Sequence, residues 1–135
     1  MGHRFEYRLE PNPRELGPMR RALAAWLGDR GARDIAGVVL AVDEAAANSI
    51  EHAGVSPQRS IAIRCSIAGR VLCVEVCDPG SWKHESPDSS RGRGLAIMRK
   101  LMDEVHVHLD GAETRVVMTR SLDWLLVLPP ISAGA

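Results

Sequence analysis

A two-layer α/β sandwich, its mixed and mostly antiparallel sheet covered by helices on one face, is the fold class this sequence predicts. Three observations carry it. Five short stretches alternate apolar and polar residues at period two, the pattern of half-buried strands. Three longer stretches repeat apolar residues at helical spacing. The two kinds are partly segregated, in the order β, α, α, β, β, α, β, β, with a tight Gly69 turn joining the second and third strands.

Each element can be justified in order. Over Arg4 to Leu9, Phe5, Tyr7 and Leu9 alternate with polar residues, which makes a strand. "PNPREL" then punctuates the chain, Asn12 standing as an N-cap before Pro13 in a first helical turn. Leu16, Met19, Leu23, Trp26 and Leu27 follow at helical spacing up to Gly28. A second helix begins after Asp34, with Ile35, Val38, Val39, Val42, Ala45, Ala46, Ser49 and Ala53 on one side, and stops at Gly54. Ile61, Ile63, Cys65 and Ile67 share one face of the next strand, and Leu72, Val74 and Val76 one face of its hairpin partner. Residues 79–93 have no periodicity, rich in Ser, Pro, Gly and Arg, and read as a functional lid or a disordered loop. "GLAIMRKLMDE" predicts a helix opening at Gly94. "VHVHLD" predicts a strand with His106 and His108 on its outer face, and "TRVVMTRS" the last strand. The fold unit is expected over residues 1–122, with an apolar extension of unassigned role over 123–135.

Composition narrows the function. The chain has 135 residues, of one-domain size. Lys plus Arg and Asp plus Glu are 17 each, so no net positive field draws nucleic acid or an anionic membrane. No apolar run reaches the roughly 20 residues of a membrane helix, and "MGHRFEYRLE" lacks the apolar centre of a signal peptide. Cys65, Cys73 and Cys77 have no zinc spacing and read as buried thiols. The expectation is a cytoplasmic protein.

Three stretches carry candidate chemistry. In "VDEAAANSIEHAG" the second helix, otherwise apolar, holds Asp43, Glu44, Asn48, Glu51 and His52; Glu44, Asn48 and His52 stack on one face at intervals of four. By itself that row is a solvated face. "VCDPG" ends an apolar strand in Asp78, which alone is a turn residue. "RGRGL" sets Arg91 to Leu95 at a helix start, where free backbone N–H groups, glycines and arginines favour an anion. The chain holds no Walker A loop.

Taken together and in order, the three resemble the N, adenine-site and glycine-lid motifs of the GHKL ATPases, the superfamily of gyrase, MutL and histidine kinases. "AVDEAAANSIEHA", "CDPG" and above all "GRGLAIMRKLMDEV", followed by Gly111 and Thr114, resemble most the anti-sigma factor serine kinases of the RsbW and SpoIIAB type. The resemblance spans about Phe5 to Ser121. It implies the Bergerat ATP-binding fold and a set of roles. Asn48 would hold Mg²⁺, and Glu44, one turn earlier, would act as general base. Asp78 would accept a hydrogen bond from the adenine amino group, Gly80 would let the base approach, and the Thr114 hydroxyl would lie near both. Gly92 and Gly94 would offer backbone N–H groups to the phosphates, with Leu95 beside them and Arg91 or Arg93 near the terminal phosphate. Trp82, Lys83 and His84 lie in the lid, whose side chains are usually solvated, and His52 borders the Asn48 turn. The implied activity is ATP-dependent phosphorylation, on serine, of a STAS-type anti-anti-sigma protein by a homodimer that also sequesters a sigma factor. The alternative is an ATP-binding partner-switching module without kinase activity.

Overall fold

Alternation decides which face of the sheet meets the helices. In the computed structural model, which describes residues 3–32, 34–53, 60–79, 89–110 and 113–121, five strands form one sheet in the order β1-β2-β3-β5-β4. They are β1 (Arg4–Leu9), β2 (Ile61–Ala68), β3 (Val71–Asp78), β4 (Glu104–Leu109) and β5 (Thr114–Ser121). The expected mixed sheet is antiparallel in all four of its described pairings. Ile63, Cys65, Leu72, Val74, Val76, Val116 and Met118 are buried on the inner face. Arg64, His106 and His108 are exposed on the outer one. There, Arg64 reaches Glu6 at 3.5 Å and Glu75 at 3.8 Å, and Arg115 reaches Glu75 at 3.4 Å. The β2–β3 hairpin turns on Gly69 and Arg70, and only Gly69 takes a positive φ, of 63°. That is the type II′ pattern, whose first position favours glycine.

Three helices cover the inner face: α1 (Leu16–Asp29), α2 (Ile35–Ala53) and α3 (Ser89–Leu101). Asn12 caps a short 3₁₀ turn over Pro13–Glu15, its Oδ1 accepting from the Arg14 N–H, and α1 follows directly. Met19, Leu23 and Leu27 of α1 and Val38, Val42 and Ala46 of α2 are buried. Each large apolar side chain so placed contributes about 1.5–3 kcal/mol relative to exposure. The third helix differs from the sequence expectation at both ends, starting at Ser89 rather than Gly94 and stopping at Leu101. It stops because the Asp103 N–H donates to the Thr119 carbonyl at 2.8 Å, which begins the pairing of β4 with β5. Gly80, the lid residues Trp82, Lys83 and His84, Gly111 and the 123–135 extension lie outside the described residues.

The thiols behave as packing groups. Cys65 is buried and its pKa is pushed up to about 12, first by desolvation and then by Cys73. Burial also raises Cys73 and Cys77, and all three are free cysteines. Among the described residues no helix is long and apolar enough to cross a membrane.

One residue ties the ends of three elements. Arg120 of β5 donates from Nη2 to Asp34 Oδ2 at 2.7 Å and from Nη1 to the Leu101 carbonyl, at the end of α3, at 3.1 Å. Asp34 in turn accepts from the Gly37 N–H at 3.2 Å, capping α2. A Cβ on Gly37 would stand 2.7 Å from Asp34 Oδ2, so a larger residue there must displace the capping carboxylate. The hydrogen bond from Arg120 is the largest influence holding the Asp34 carboxyl below its ordinary pKa, with burial opposing it. A depressed folded pKa contributes stability above the unfolded value, near 3.9, which is lost as pH falls through the folded value. Asp34→Ala should therefore cost about 1 kcal/mol at pH 7 through the lost cap. Asp34→Asn, which retains a cap acceptor but not the charge, should trail the wild type at pH 7 and converge with it as pH falls through the lowered folded pKa of Asp34. Urea titrations at pH 7 and down an acid series check both, and a gap that stays constant down the series would remove the Arg120 pair as its source.

Candidate functional site

The polar residues of α2 do not act as one stripe. Asp43 turns to α1, where Arg20 Nη1 lies 2.9 Å from its Oδ1. Glu51 is exposed and His52 half-buried. Glu44 and Asn48, one turn apart, are half-buried against α3. The contact is close: a Cβ on Gly94 would stand 3.2 Å from both Glu44 Oε1 and Asn48 Nδ2, and 3.6 Å from Asn48 Oδ1. Residue 94 is buried, so α3 reaches this carboxylate and amide through the one residue type that adds no side chain.

Arg91, Gly92 and Arg93 fall within the first turns of α3, not in a loop ahead of it. Gly94 lies deeper in the helix, where a regular turn directs its N–H to the carbonyl four residues back. Leu95 is half-buried and packs on the core cluster. The helix start and the Glu44–Asn48 edge are thus brought together by Gly94.

A second polar group lies under the helices. Among the described residues, the buried polar side chains are Ser49, Asp78 and Thr114, each 1% exposed. Asp78 and Thr114 are direct cross-strand partners at the ends of β3 and β5. Asp78 continues the inner-face parity of Leu72, Val74 and Val76, which turns its side chain toward the helices. Because α2 packs across β3, Ser49 and Asp78 belong to facing layers. The sequence reading assigned Ser49 to the apolar side of α2. Its signal was a hydroxyl inside a run of buried alanines, and its Oγ is buried with no hydrogen-bond partner among the described residues. A buried carboxylate and two buried hydroxyls are costly unless satisfied. Ser49 follows Asn48 in α2, and Asp78 and Thr114 face the layer that α2 occupies.

This sheet-and-helix layer, with its polar helix edge, a glycine-bearing third helix and a buried Asp–Thr pair, is that of a nucleotide-binding ATPase domain. Residues 9–120 match the histidine kinase-like ATPase domain family, and the chain belongs to it. It is similar to a protein named serine-protein kinase RsbW from Bacillus licheniformis, 29% identical over 88% of this chain and 86% of that protein. It also resembles a crystal structure of the RsbU and RsbW domains of Rv1364c from Mycobacterium tuberculosis, with 25% identity and a TM-score of 0.72 over 87% of this chain. The histidine kinase domain of a blue-light activated histidine kinase from Erythrobacter litoralis shares the fold, with a TM-score of 0.56 at 21% identity over 85% of this chain. The chain spans 32% and 63% of the length of these two structures.

Two substitutions separate packing from chemistry. Gly94→Ala removes a mid-helix glycine, worth about 1 kcal/mol of helix propensity, but crowds Glu44 and Asn48. It should melt no lower than the wild type by calorimetry while losing nucleotide affinity by titration, and a lower melting point with normal affinity would contradict this geometry. Ser49→Ala removes a buried hydroxyl that has no partner among the described residues and should raise the unfolding free energy by about 1 kcal/mol in urea. A loss of stability instead would mean that the hydroxyl is bonded.

Proposed function

We propose that this chain is a cytoplasmic, homodimeric serine/threonine-protein kinase and anti-sigma factor. It would bind Mg-ATP, sequester a sigma factor, and phosphorylate a STAS-type anti-anti-sigma protein on serine. The observation that carries the reading is the approach of Gly94 to Glu44 and Asn48, which sets the glycine-rich start of α3 beside a carboxylate and an amide. Family membership and likeness to a serine-protein kinase support it.

Mg²⁺ fits the donors present. Among the described residues no group of three His, Cys, Asp or Glu side chains could hold a metal. Mg²⁺ needs no such cage, taking one or two protein oxygens and completing its octahedron with phosphates and water. Asn48 Oδ1 would supply the protein oxygen, and the ion would neutralise charge on the phosphates. Asp78, buried at the end of β3, would accept from the adenine amino group, with the Thr114 hydroxyl opposite it and Gly80 letting the base come close. Gly92, Gly94 and Leu95 would present backbone N–H groups to the phosphates, with Arg91 or Arg93 at the terminal one. This requires the first turns of α3 to open from their helical pairing.

Phosphotransfer then needs a base within reach of the attacking hydroxyl. The serine oxygen of the acceptor protein forms a bond to the γ-phosphorus while the bond from that phosphorus to the bridging oxygen breaks, releasing ADP. Glu44 takes the serine proton. A half-buried carboxylate one turn from Asn48 is suited to that step, since proton acceptor and phosphate anchor then sit on one rigid face.

Titration calorimetry tests the site. Mg-ATP should bind the wild type, and Asn48→Ala should abolish the magnesium-dependent part. Asp78→Asn should weaken binding by about 10- to 150-fold, the equivalent of a charge-assisted hydrogen bond of roughly 1.5–3 kcal/mol. Glu44→Gln should hold ATP within a few-fold while slowing transfer to the serine by about 10²–10⁴. ATP binding without phosphotransfer by the wild type would favour the partner-switching module without kinase activity.

A further inference from the structure

The sheet is open at β1. Among the described residues β1 is the last strand on its side, paired with β2 and two strands away from β3, which carries Asp78. The Ile67 N–H donates to the His3 carbonyl at 3.0 Å, one step before the Arg4–Ser66 pair. Bonded pairs alternate along an antiparallel ladder. The backbone of Phe5, Tyr7 and Leu9 therefore bonds to β2, and the N–H and C=O groups of Arg4, Glu6 and Arg8 point out from the open edge. The side chains of those three stand exposed on the outer face of the sheet. Phe5 and Tyr7, on the inner face, are half-buried, and the Phe5 ring lies 5.6 Å from that of Trp26 in α1.

An open edge invites another strand, and its charges decide which. Along β1 and the residue after it, the outward side chains alternate in sign: Arg4, Glu6, Arg8, Glu10. A second copy running antiparallel, centred on Tyr7, meets this series with its own reversed. Glu6 then stands opposite the partner's Arg8, Arg8 opposite the partner's Glu6, and Arg4 opposite the partner's Glu10, so every charged pair is of opposite sign. Tyr7 faces the partner's Tyr7, and Phe5 the partner's Leu9. The hydrogen-bond phase agrees, since Glu6 and Arg8 both turn their backbone groups outward and can exchange them. Centring on Glu6 instead sets it opposite the partner's Glu6 and sets Arg4 opposite the partner's Arg8, and like charges directly opposite destabilise a strand pair. Within the chain, Glu6 meets Arg64 and Arg8 meets the Ser60 hydroxyl, each at 3.5 Å and exposed, contacts that cost little to share. The opposite edge of the sheet, β4, has one acid, Glu104, and neither arginine nor lysine, so no register there builds such a series.

We propose, resting on the homodimeric reading above, that two copies of this chain pair through β1, antiparallel and centred on Tyr7. Their two five-stranded sheets then form one. Backbone hydrogen bonds at Glu6 and Arg8 hold the two strands together, and the alternating charges fix their register.

Sedimentation equilibrium on the full chain tests the interface. The wild type should be a dimer whose dissociation constant rises with salt. Glu6→Arg and Arg8→Glu each set like charges opposite one another on both sides of Tyr7, and each should raise that constant by about 10- to 100-fold. An equimolar mixture of the two variants should associate within a few-fold of the wild type, because each chain supplies the charge the other lacks. The chain carrying both substitutions, with its charges exchanged, should do the same. Hydrogen exchange on the wild type needs no variant: the Glu6 and Arg8 amides should slow as rising concentration carries the chain into dimer. A dimer indifferent to both substitutions, a mixture as weak as its components, or Glu6 and Arg8 amides that exchange alike in monomer and dimer overturns the proposal. A wild type that stays monomeric overturns the interface and the homodimer together, and leaves the nucleotide site to be judged by the ATP titration.

Discussion

The missing side chain at residue 94 sets the separation of α2 and α3 where the polar groups meet. A Cβ there would stand 3.2 Å from a Glu44 oxygen and from the Asn48 amide nitrogen, tighter than ordinary van der Waals contact between unbonded carbon and oxygen. With glycine, the helix rests on the two side chains without displacing them. Glu44 and Asn48 are half-buried beside it. The same glycine weakens the helix that bears it, since mid-helix glycine costs roughly 1 kcal/mol against alanine. A helix start so composed, with Gly92 and Gly94 both in its opening turns, is inexpensive to unwind. Close approach and low local stability therefore have one cause.

The opposite end of the helical layer is built the other way. Arg120 joins the cap of α2 and the last carbonyl of α3 to the sheet in two hydrogen bonds, and Asp34 and Gly37 fit each other so closely that no larger residue could replace the glycine without a shift. A cation at the C-terminal end of α3 also complements that helix's dipole. So α2 and α3 are pinned at one end of the sheet and meet through glycine at the Glu44–Asn48 edge. Met98 of α3 and Met118 of β5, both fully buried, anchor the layer between these two ends.

Much of this was legible in the sequence, for a physical reason. The strands carry strict alternation, so β1 and β5 were bounded to the residue, and α2 was bounded by Asp34 and Gly54. The start of α3 was not legible. Ser89, Ser90, Arg91, Gly92 and Arg93 have poor or mixed helix propensity and no apolar period, so helix there reflects its surroundings, not local preference. Glu44 and Asn48 were visible as a row at spacing four, but spacing could not separate them from Asp43, which the structure gives to Arg20 of α1. Nor could it show Gly94 facing them, because the contact joins residues about fifty positions apart. Ser49 was hidden by its own periodicity: lying on the buried stripe among alanines, it looked like core.

The buried polar trio completes the argument about what the layer is for. Cores of this size satisfy themselves with aliphatic side chains, and this one does so almost everywhere, from Leu9 through Met118. Among the described residues Asp78, Thr114 and Ser49 break the pattern, the first two paired at strand ends and Ser49 on the facing helix, next in sequence to Asn48. Stability alone does not favour that placement, since apolar groups of similar shape would fill the space at lower cost. Under the proposed nucleotide reading, this carboxylate, 1% exposed and opposite a threonine, would meet the polar edge of the base. The polar helix edge can then meet the charged part of the same ligand. Under that reading one ligand would span both polar groups, which explains why the chain places them at the same end of α2 and does not need either group for its core.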